Sequence, residues 1–215
     1  MNTLTEESTV LDLTAMGSLA DLMVYRLPGC SDVMIRKELQ RVSREFCRAT
    51  GGFKETLALT PVVSTYTYNL VPSYNANIEL VTAVTMFGLV QSTERFDVSD
   101  GDPVAITFDS GWFDNAYDAA ETADLTGSAV VMLVPEIGCE SFPDHFLKRN
   151  GEAIVAGALM NLARIPNMPW TNPSMAVSEG IIYQNFLNDA AIRRINGMVQ
   201  RDMNNRSSVS WLQGR

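Results

Sequence analysis

The sequence predicts an α+β chain in which N- and C-terminal helices form a helical bundle, an antiparallel β region is inserted between them, and an extended C-terminal tail follows. Three observations predict this class. Apolar residues recur at helical spacing near both ends, the spacing changes to two from Glu55 onward, and prolines and glycines mark the transitions. The expected segments are 1–54 (arm and N-terminal helices), 55–140 (β region), 141–203 (C-terminal helices) and 204–215 (docking tail).

Two helices are expected before the β region. A short helix is predicted at about Thr14 to Tyr25, followed by a turn at Leu27-Pro28-Gly29. The next helix covers about residues 31–50, where apolar residues lie at helical spacing on one face and Arg and Lys mark another. Ser31 or Asp32 can cap its start, and Gly51-Gly52 can end it.

The middle of the chain has the periodicity of strands. Residues 66–70 alternate between Tyr or Leu and polar side chains, which predicts a half-buried strand. Residues 78–87 are apolar on both faces and predict a central strand, whereas residues 96–108 predict a hairpin that turns at 99–103. A last buried strand is expected at 129–134.

The C-terminal third predicts helix, corner and helix. A first helix at about 142–165 is apolar almost all the way round, and such a helix is buried on every side or packed against other subunits. It ends at three prolines that flank a tryptophan. A second helix at about 173–201 follows, with Asn172 or Ser174 as its N-cap. We expect the apolar helix and the corner to form subunit contacts through Ile154, Val155, Leu159 and Trp170.

Four short segments of the chain together resemble one known protein family. They are Leu27-Pro28-Gly29, the run from Arg44 to Thr50, Gly157-Ala158-Leu159 and Pro169-Trp170-Thr171-Asn172-Pro173. In sequence and order they resemble the head-to-tail adaptor (connector) proteins of tailed bacteriophages. The resemblance covers both helical ends, roughly half of the chain, and does not extend to the β region.

The resemblance implies a structural virion protein of the neck, assembled in the host cytoplasm, that forms a ring of about twelve copies. It implies that the helices build the ring wall, that DNA passes through without specific binding, and that the β region faces a tail or nozzle protein. The tail would bind the portal protein. The residues expected to dock there are Arg206, Val209, Trp211, Leu212 and Arg215.

Charge is distributed unevenly. The formal charge is −9, and nine carboxylates but a single Arg lie between Gln91 and Leu125. This sign argues against a grip on nucleic acid. Solvated loops and hairpin edges are the simplest location for these carboxylates. If the resemblance holds, they line an acidic channel or interface that lets DNA slide; the candidates are Asp97, Asp100, Asp102, Asp109, Asp114 and Asp118.

Signals for catalysis are weak. The one histidine, His145, has no neighbouring nucleophile motif, and phosphate-binding loops are absent from the sequence. No cofactor or metal is expected, and no apolar run approaches the length of a membrane span. We expect a protein that is not an enzyme. Three alternatives remain open: another neck or tail-completion ring protein, a peptidoglycan hydrolase that uses Asp or Glu carboxylates, and a host-derived binding module, which would be a stable monomer with no portal affinity.

Overall fold

Helices and strands follow one another in the order that the sequence predicts, helices first, strands next and helices last. The computed structural model describes residues 13–51, 53–120, 125–139 and 141–209, without the side chains of residues 13–15, 145 and 193–209. Within them the chain is α+β, with five helices and antiparallel sheets, so the predicted fold class is confirmed at this level. The helices are α1 (Gly17–Val24), α2 (Asp32–Thr50), α3 (Ser110–Ala119), α4 (Asp144–Ala163) and α5 (Pro173–Val209).

The strands form a four-stranded sheet, a three-stranded sheet and a two-stranded ladder. They are β1 (Leu13–Ala15), β2 (Lys54–Leu59), β3 (Thr67–Asn69), β4 (Ala76–Met86), β5 (Leu89–Val90), β6 (Phe96–Ser99), β7 (Ala105–Phe108), β8 (Gly127–Pro135) and β9 (Ser141–Pro143). Strand orders are β2-β8-β4-β5, β3-β7-β6 and β1-β9, and every pair is antiparallel.

The chain divides into two compact units. One contains the described residues up to Ser43 together with Ile137–Asn188, and the other contains Arg44–Glu136 together with the remainder of α5. We call them the helical unit and the sheet unit. The helical unit holds β1, α1, β9, α4 and the first parts of α2 and α5, whereas the sheet unit holds β2 to β8 and α3.

The start of the chain differs from its prediction. Thr14 was expected to begin a helix, but it lies in β1, where it pairs with Phe142 of β9. α1 begins only at Gly17 and buries Ala20 and Met23. The predicted start of the helix is therefore wrong. The backbone of β1 pairs with a strand more than 120 residues away, and the local spacing of apolar residues cannot predict such a pairing.

The α2 helix matches its prediction. The Met34 amide donates to Ser31 Oγ at 3.3 Å, so Ser31 is the capping residue. Gly51 has φ +58° and its amide donates to the Cys47 carbonyl, which ends the helix in a left-handed turn. Its apolar stripe is buried: Ile35, Leu39, Val42 and Phe46.

In the sheet unit, the two predicted hairpin strands pair as expected. Phe96 lies opposite Phe108 and Val98 opposite Ile106. The predicted strand at 129–134 is the middle of β8, which pairs with both β2 and β4 and is buried from Val131 onward. It forms the interior of the four-stranded sheet.

α3 was not predicted, because the acidic segment was expected on loops and hairpin edges. Asp109 caps this helix, accepting a hydrogen bond from the Trp112 amide at 2.7 Å. Phe113 is fully buried within a cluster of aromatic rings that includes Tyr66, Phe87 and Phe108. Aromatic burial therefore holds α3 on the unit, and the loop assignment is wrong for residues 110–119.

Candidate assembly site

The corner between α4 and α5 is held together by Thr171. Its Oγ1 donates to the Ile165 carbonyl at 2.5 Å and accepts from the Met168 amide at 2.9 Å. One side chain thus satisfies two backbone groups freed where α4 ends and proline prevents helical continuation. The Asn172 amide donates to the Ala163 carbonyl at 3.0 Å, which fastens the corner to the end of α4.

The second helix begins as predicted. Asn172 Oδ1 accepts from the Met175 amide at 3.1 Å, so Asn172 is the N-cap and Pro173 occupies the first helical position. Trp170 lies partly exposed in the corner. Its Nε1 is buried, however, and has no hydrogen-bond partner among the described residues.

The Leu-Pro-Gly turn packs against this corner. Gly29 has φ +88°, and a Cβ at that position would lie 3.5 Å from Pro169 Cβ. Positive φ favours glycine, and the distance shows that the two turns are neighbours, since a Cβ at position 29 would be in ordinary van der Waals contact with Pro169. Leu27, two residues before Gly29, is buried in the core.

Gly157 marks a second close contact within the helical unit. A Cβ at 157 would lie 2.7 Å from Val42 Cγ1 and 3.0 Å from ring atoms of Tyr183. The distance to Val42 is shorter than real Cβ atoms show, and the distance to Tyr183 is tighter than most, so α2 and α5 approach α4 at a point that favours glycine. Ala156 and Ala158 beside it are buried.

A buried carboxylate connects α5 to the turn after α1. Glu179 is 5% exposed, and its Oε1 accepts a charge-assisted hydrogen bond from Arg26 Nη2. This pair was not predicted from the sequence. A usable signal existed, since Glu179 is the only charged residue between Pro173 and Asn188.

The four residues expected at a ring interface separate into two groups. Ile154 and Leu159 are fully buried within the helical unit, whereas Val155 and Trp170 are partly exposed. The apolar circumference of α4 is therefore covered mainly by the chain itself. A helix that is apolar all the way round is either buried on every side or packed against other subunits, and the first explanation applies at Ile154 and Leu159.

The six candidate acidic residues are all exposed but lie in different settings. Asp97 is on β6, Asp100 and Asp102 are in the β6–β7 turn, and Asp109 caps α3. Asp114 and Asp118 are on α3, and Asp114 accepts a hydrogen bond from the Tyr66 hydroxyl at 2.9 Å. This bond raises the pKa of Tyr66 above its ordinary value, because the neutral phenol is the donor.

A cleft of about 480 Å³ in the sheet unit has three carboxylates among its lining residues. Asp100, Asp102 and Glu136 line it beside Tyr74 and Asn77. All three carboxylates are exposed, whereas a general acid working near neutral pH requires a carboxyl in a desolvated setting. Within the described ranges, no group of three or more His, Cys, Asp or Glu side chains could hold a metal ion.

Several predicted positions fall beyond what the structure describes. Trp211, Leu212 and Arg215 of the docking tail lie outside the described residues, and the side chains of Arg206 and Val209 do too, although α5 runs to Val209. The His145 side chain is likewise outside them. Among the helices that are described, none has the length and apolar character needed to cross a membrane.

No protein-family model matches the sequence, and no curated protein matches it significantly.

Proposed function

We propose that this chain is a structural virion protein, a head-to-tail adaptor that forms a ring joining the portal to the tail of a bacteriophage and leaves a path for DNA. One observation carries the proposal. Two segments that share the adaptor resemblance, Leu-Pro-Gly and the proline corner, lie next to each other although about 140 residues separate them, since a Cβ added at Gly29 would be 3.5 Å from Pro169 Cβ. Gly157 of Gly-Ala-Leu lies at the close approach of α4 to Val42 of α2 and Tyr183 of α5.

The chemistry of these contacts favours a structural role. They consist of glycines in close packing, prolines at a rigid corner and one hydroxyl that satisfies two backbone groups. Such features fix the angle between helices and offer no group that attacks, protonates or coordinates a substrate. A rigid helical unit of this kind suits a protein whose task is to hold a fixed place in an assembly.

In the proposed arrangement, α1, α2, α4 and α5 form a bundle that is the wall of a ring of about twelve copies. The sheet unit faces a tail or nozzle protein. Residues 204–215 dock on the portal through Arg206, Val209, Trp211, Leu212 and Arg215. The exposed carboxylates of residues 97–118 face the DNA path or a neighbouring subunit, where like charge prevents the phosphate contacts that would retain DNA.

Removal of the protein during infection tests this function. Without the chain, we expect heads that package DNA but do not acquire tails, because the connecting ring is missing. A plasmid copy of the wild type should restore tailed, infectious particles, and a copy with Trp211→Ala and Leu212→Ala should not, if the tail docks on the portal.

The same experiment separates the alternatives. Loss of a peptidoglycan hydrolase would leave complete tailed particles that adsorb but fail to deliver DNA through the cell wall. Such particles would contradict the adaptor proposal. Loss of another neck ring would give heads with a bound adaptor but no tail, which electron microscopy of the purified heads can distinguish.

A further inference from the structure

One edge of the four-stranded sheet carries unpaired backbone groups. β2 forms this edge and pairs on one side only, with β8. The Leu133 amide of β8 donates to the Phe53 carbonyl at 3.1 Å, so these two residues form a hydrogen-bonded pair at the start of the ladder. Such pairs alternate along an antiparallel ladder, and every second residue of β2 therefore turns its N–H and C=O groups away from β8. Thr56 and Ala58 are two of these residues.

The outward side of β2 is open. Thr56 and Ala58 are exposed, and within the described part of the chain no group hydrogen-bonds to their outward backbone atoms. The side chains of Leu57 and Leu59, on the other face of the strand, are half-buried and buried. A row of free N–H and C=O groups is complementary to the backbone of another extended strand.

The other edges of the described sheets have features that prevent the addition of a strand. β1, β3 and β9 have three residues each, β5 has two, and β6 has four with the exposed Asp97 among them. The ladder of β4 is interrupted by two register shifts. Short strands, charges and bulges are the usual protection of sheet edges. β2 has six residues, no proline and no register shift, and its only charges are Lys54 and Glu55 at its start.

Resting on the proposed ring, we infer that an extended segment of the tail or nozzle protein adds to the four-stranded sheet along β2. A second copy of this chain does not fit the edge in such a ring. Pairing of β2 with β2 is isologous and creates a two-fold axis, whereas neighbours in a ring are related by a rotation that needs two different surfaces. A contact of that kind would pair β2 with another edge, and the other described edges are too short or interrupted.

The β2 edge also defines the chemistry of the segment. Thr56 and Ala58 offer two N–H donors and two C=O acceptors, and their equivalent groups lie about 7 Å apart, the distance between alternate residues of an extended chain. An added strand continues both faces of the sheet. The segment should therefore alternate, with apolar side chains beside Leu57 and Leu59 and polar side chains beside Thr56 and Ala58.

Amide hydrogen exchange of assembled particles tests the inference. Complete virions are compared with heads that carry this chain but were produced without the tail protein. In the tailless heads we expect rapid exchange of the Thr56 and Ala58 amides, and in virions exchange that is slower by about 10-fold or more. The Leu57 amide points toward β8, so it is the internal control and should exchange slowly in both particles.

Ala58→Pro tests the same edge by mutation. Proline removes one outward N–H and leaves the ladder with β8 intact, because the backbone groups of Ala58 point away from β8. Ala58→Ser keeps the N–H and is the matched control. With plasmid copies of each variant, we expect Ala58→Pro to lower the yield of tailed particles by roughly 10-fold or more, and Ala58→Ser to match the wild type. Heads produced with Ala58→Pro should still carry the chain, which verifies that the variant folds.

Three results would overturn the inference. The first is equal, rapid exchange of Thr56 and Ala58 in virions and tailless heads. The second is slow exchange of both amides already in tailless heads, which would assign the edge to a second copy or to the portal. The third is a wild-type yield of tailed particles from Ala58→Pro. If that variant does not reach the heads, the exchange measurement on the wild type decides alone.

Failure of the proposed function has a different signature. The chain would then be absent from both the virions and the tailless heads, and the inference would fall with the function. A chain that is present in both particles but has the same exchange at β2 contradicts the inference alone.

Discussion

Gly157 of α4 lies so close to Tyr183 of α5 that a Cβ at position 157 would be 3.0 Å from ring atoms Cδ2 and Cε2. Glycine inside a helix costs about 1 kcal/mol relative to alanine, so its presence requires a compensating contact. The close approach of α2 and α5 to α4 supplies it. The helical unit is thus organised around a position with no room for a side chain.

We expect Gly157→Ala to destabilise the protein by about 1–3 kcal/mol despite the better helix propensity of alanine. The added methyl would lie 2.7 Å from Val42 Cγ1, and the β-branched Val42 has little rotamer freedom with which to move away. Urea unfolding measures the change in free energy of unfolding.

Gly180→Ala is the matched control for that substitution. The nearest atom to a Cβ at 180 is Met160 Sδ at 3.1 Å, near the flexible end of a side chain that can shift. We expect this variant to be neutral or more stable by up to about 1 kcal/mol. A Gly157→Ala protein as stable as Gly180→Ala would show that the contact at Gly157 is not tight.

Thr171→Val tests the proline corner. Valine keeps the shape of threonine but cannot donate to the Ile165 carbonyl or accept from the Met168 amide. Leaving these backbone groups unpaired should cost about 1–3 kcal/mol, measured by thermal or urea unfolding. Thr107→Val removes an exposed hydroxyl contact with Thr67 and should change stability by less than about 0.5 kcal/mol. Equal effects at the two positions would contradict the role of Thr171.

Asp114→Ala should lower the pKa of Tyr66 toward its ordinary value of about 10. The hydrogen bond from the phenol to Asp114 is the largest cause of the raised pKa in the folded protein. A folded-state pKa above the unfolded one means that this stabilisation is complete below pH ~10 and is lost as pH rises through the folded pKa. NMR titration of tyrosine signals, assigned with Tyr66→Phe, measures the shift. Asp118→Ala on the same helix should leave it unchanged.

The three cysteines should differ sharply in reactivity toward a thiol reagent. Burial raises the pKa of Cys47 to about 12, whereas Cys30 is partly exposed. At pH 8 only about 1 in 10,000 Cys47 side chains would be thiolate, the reactive form. We expect the fast phase of labelling to vanish in Cys30→Ser. Loss of that phase in Cys47→Ser instead would contradict the burial of Cys47.

Local signals in the sequence predicted much of the fold. The limits of α2, the Asn172 cap and the β6–β7 hairpin each depend on residues within a few positions, so spacing and turn chemistry identify them. The pairing of β1 with β9 joins residues more than 120 positions apart, and no local pattern encodes it. α3 was missed although Asp109 and the aromatic residues after it formed a helix-start signal, because its charge density suggested a loop.

The candidate site was predictable only in its parts. Leu-Pro-Gly, Gly-Ala-Leu and the proline corner could be recognised as segments, but the proximity of Gly29 to Pro169 and of Gly157 to Tyr183 depends on the tertiary fold. The exposure of individual apolar side chains on α5 could not be predicted for the same reason. Val177 and Ile181 are as apolar as Ile154 and Leu159, and only the fold determines which pair is covered by the chain.

Electron cryo-microscopy of virions that carry this chain tests the proposed function most directly. We expect a closed ring of about twelve copies between portal and tail, with residues 204–215 in contact with the portal. Density for the chain at any other place in the particle, or none at all, would contradict the adaptor function.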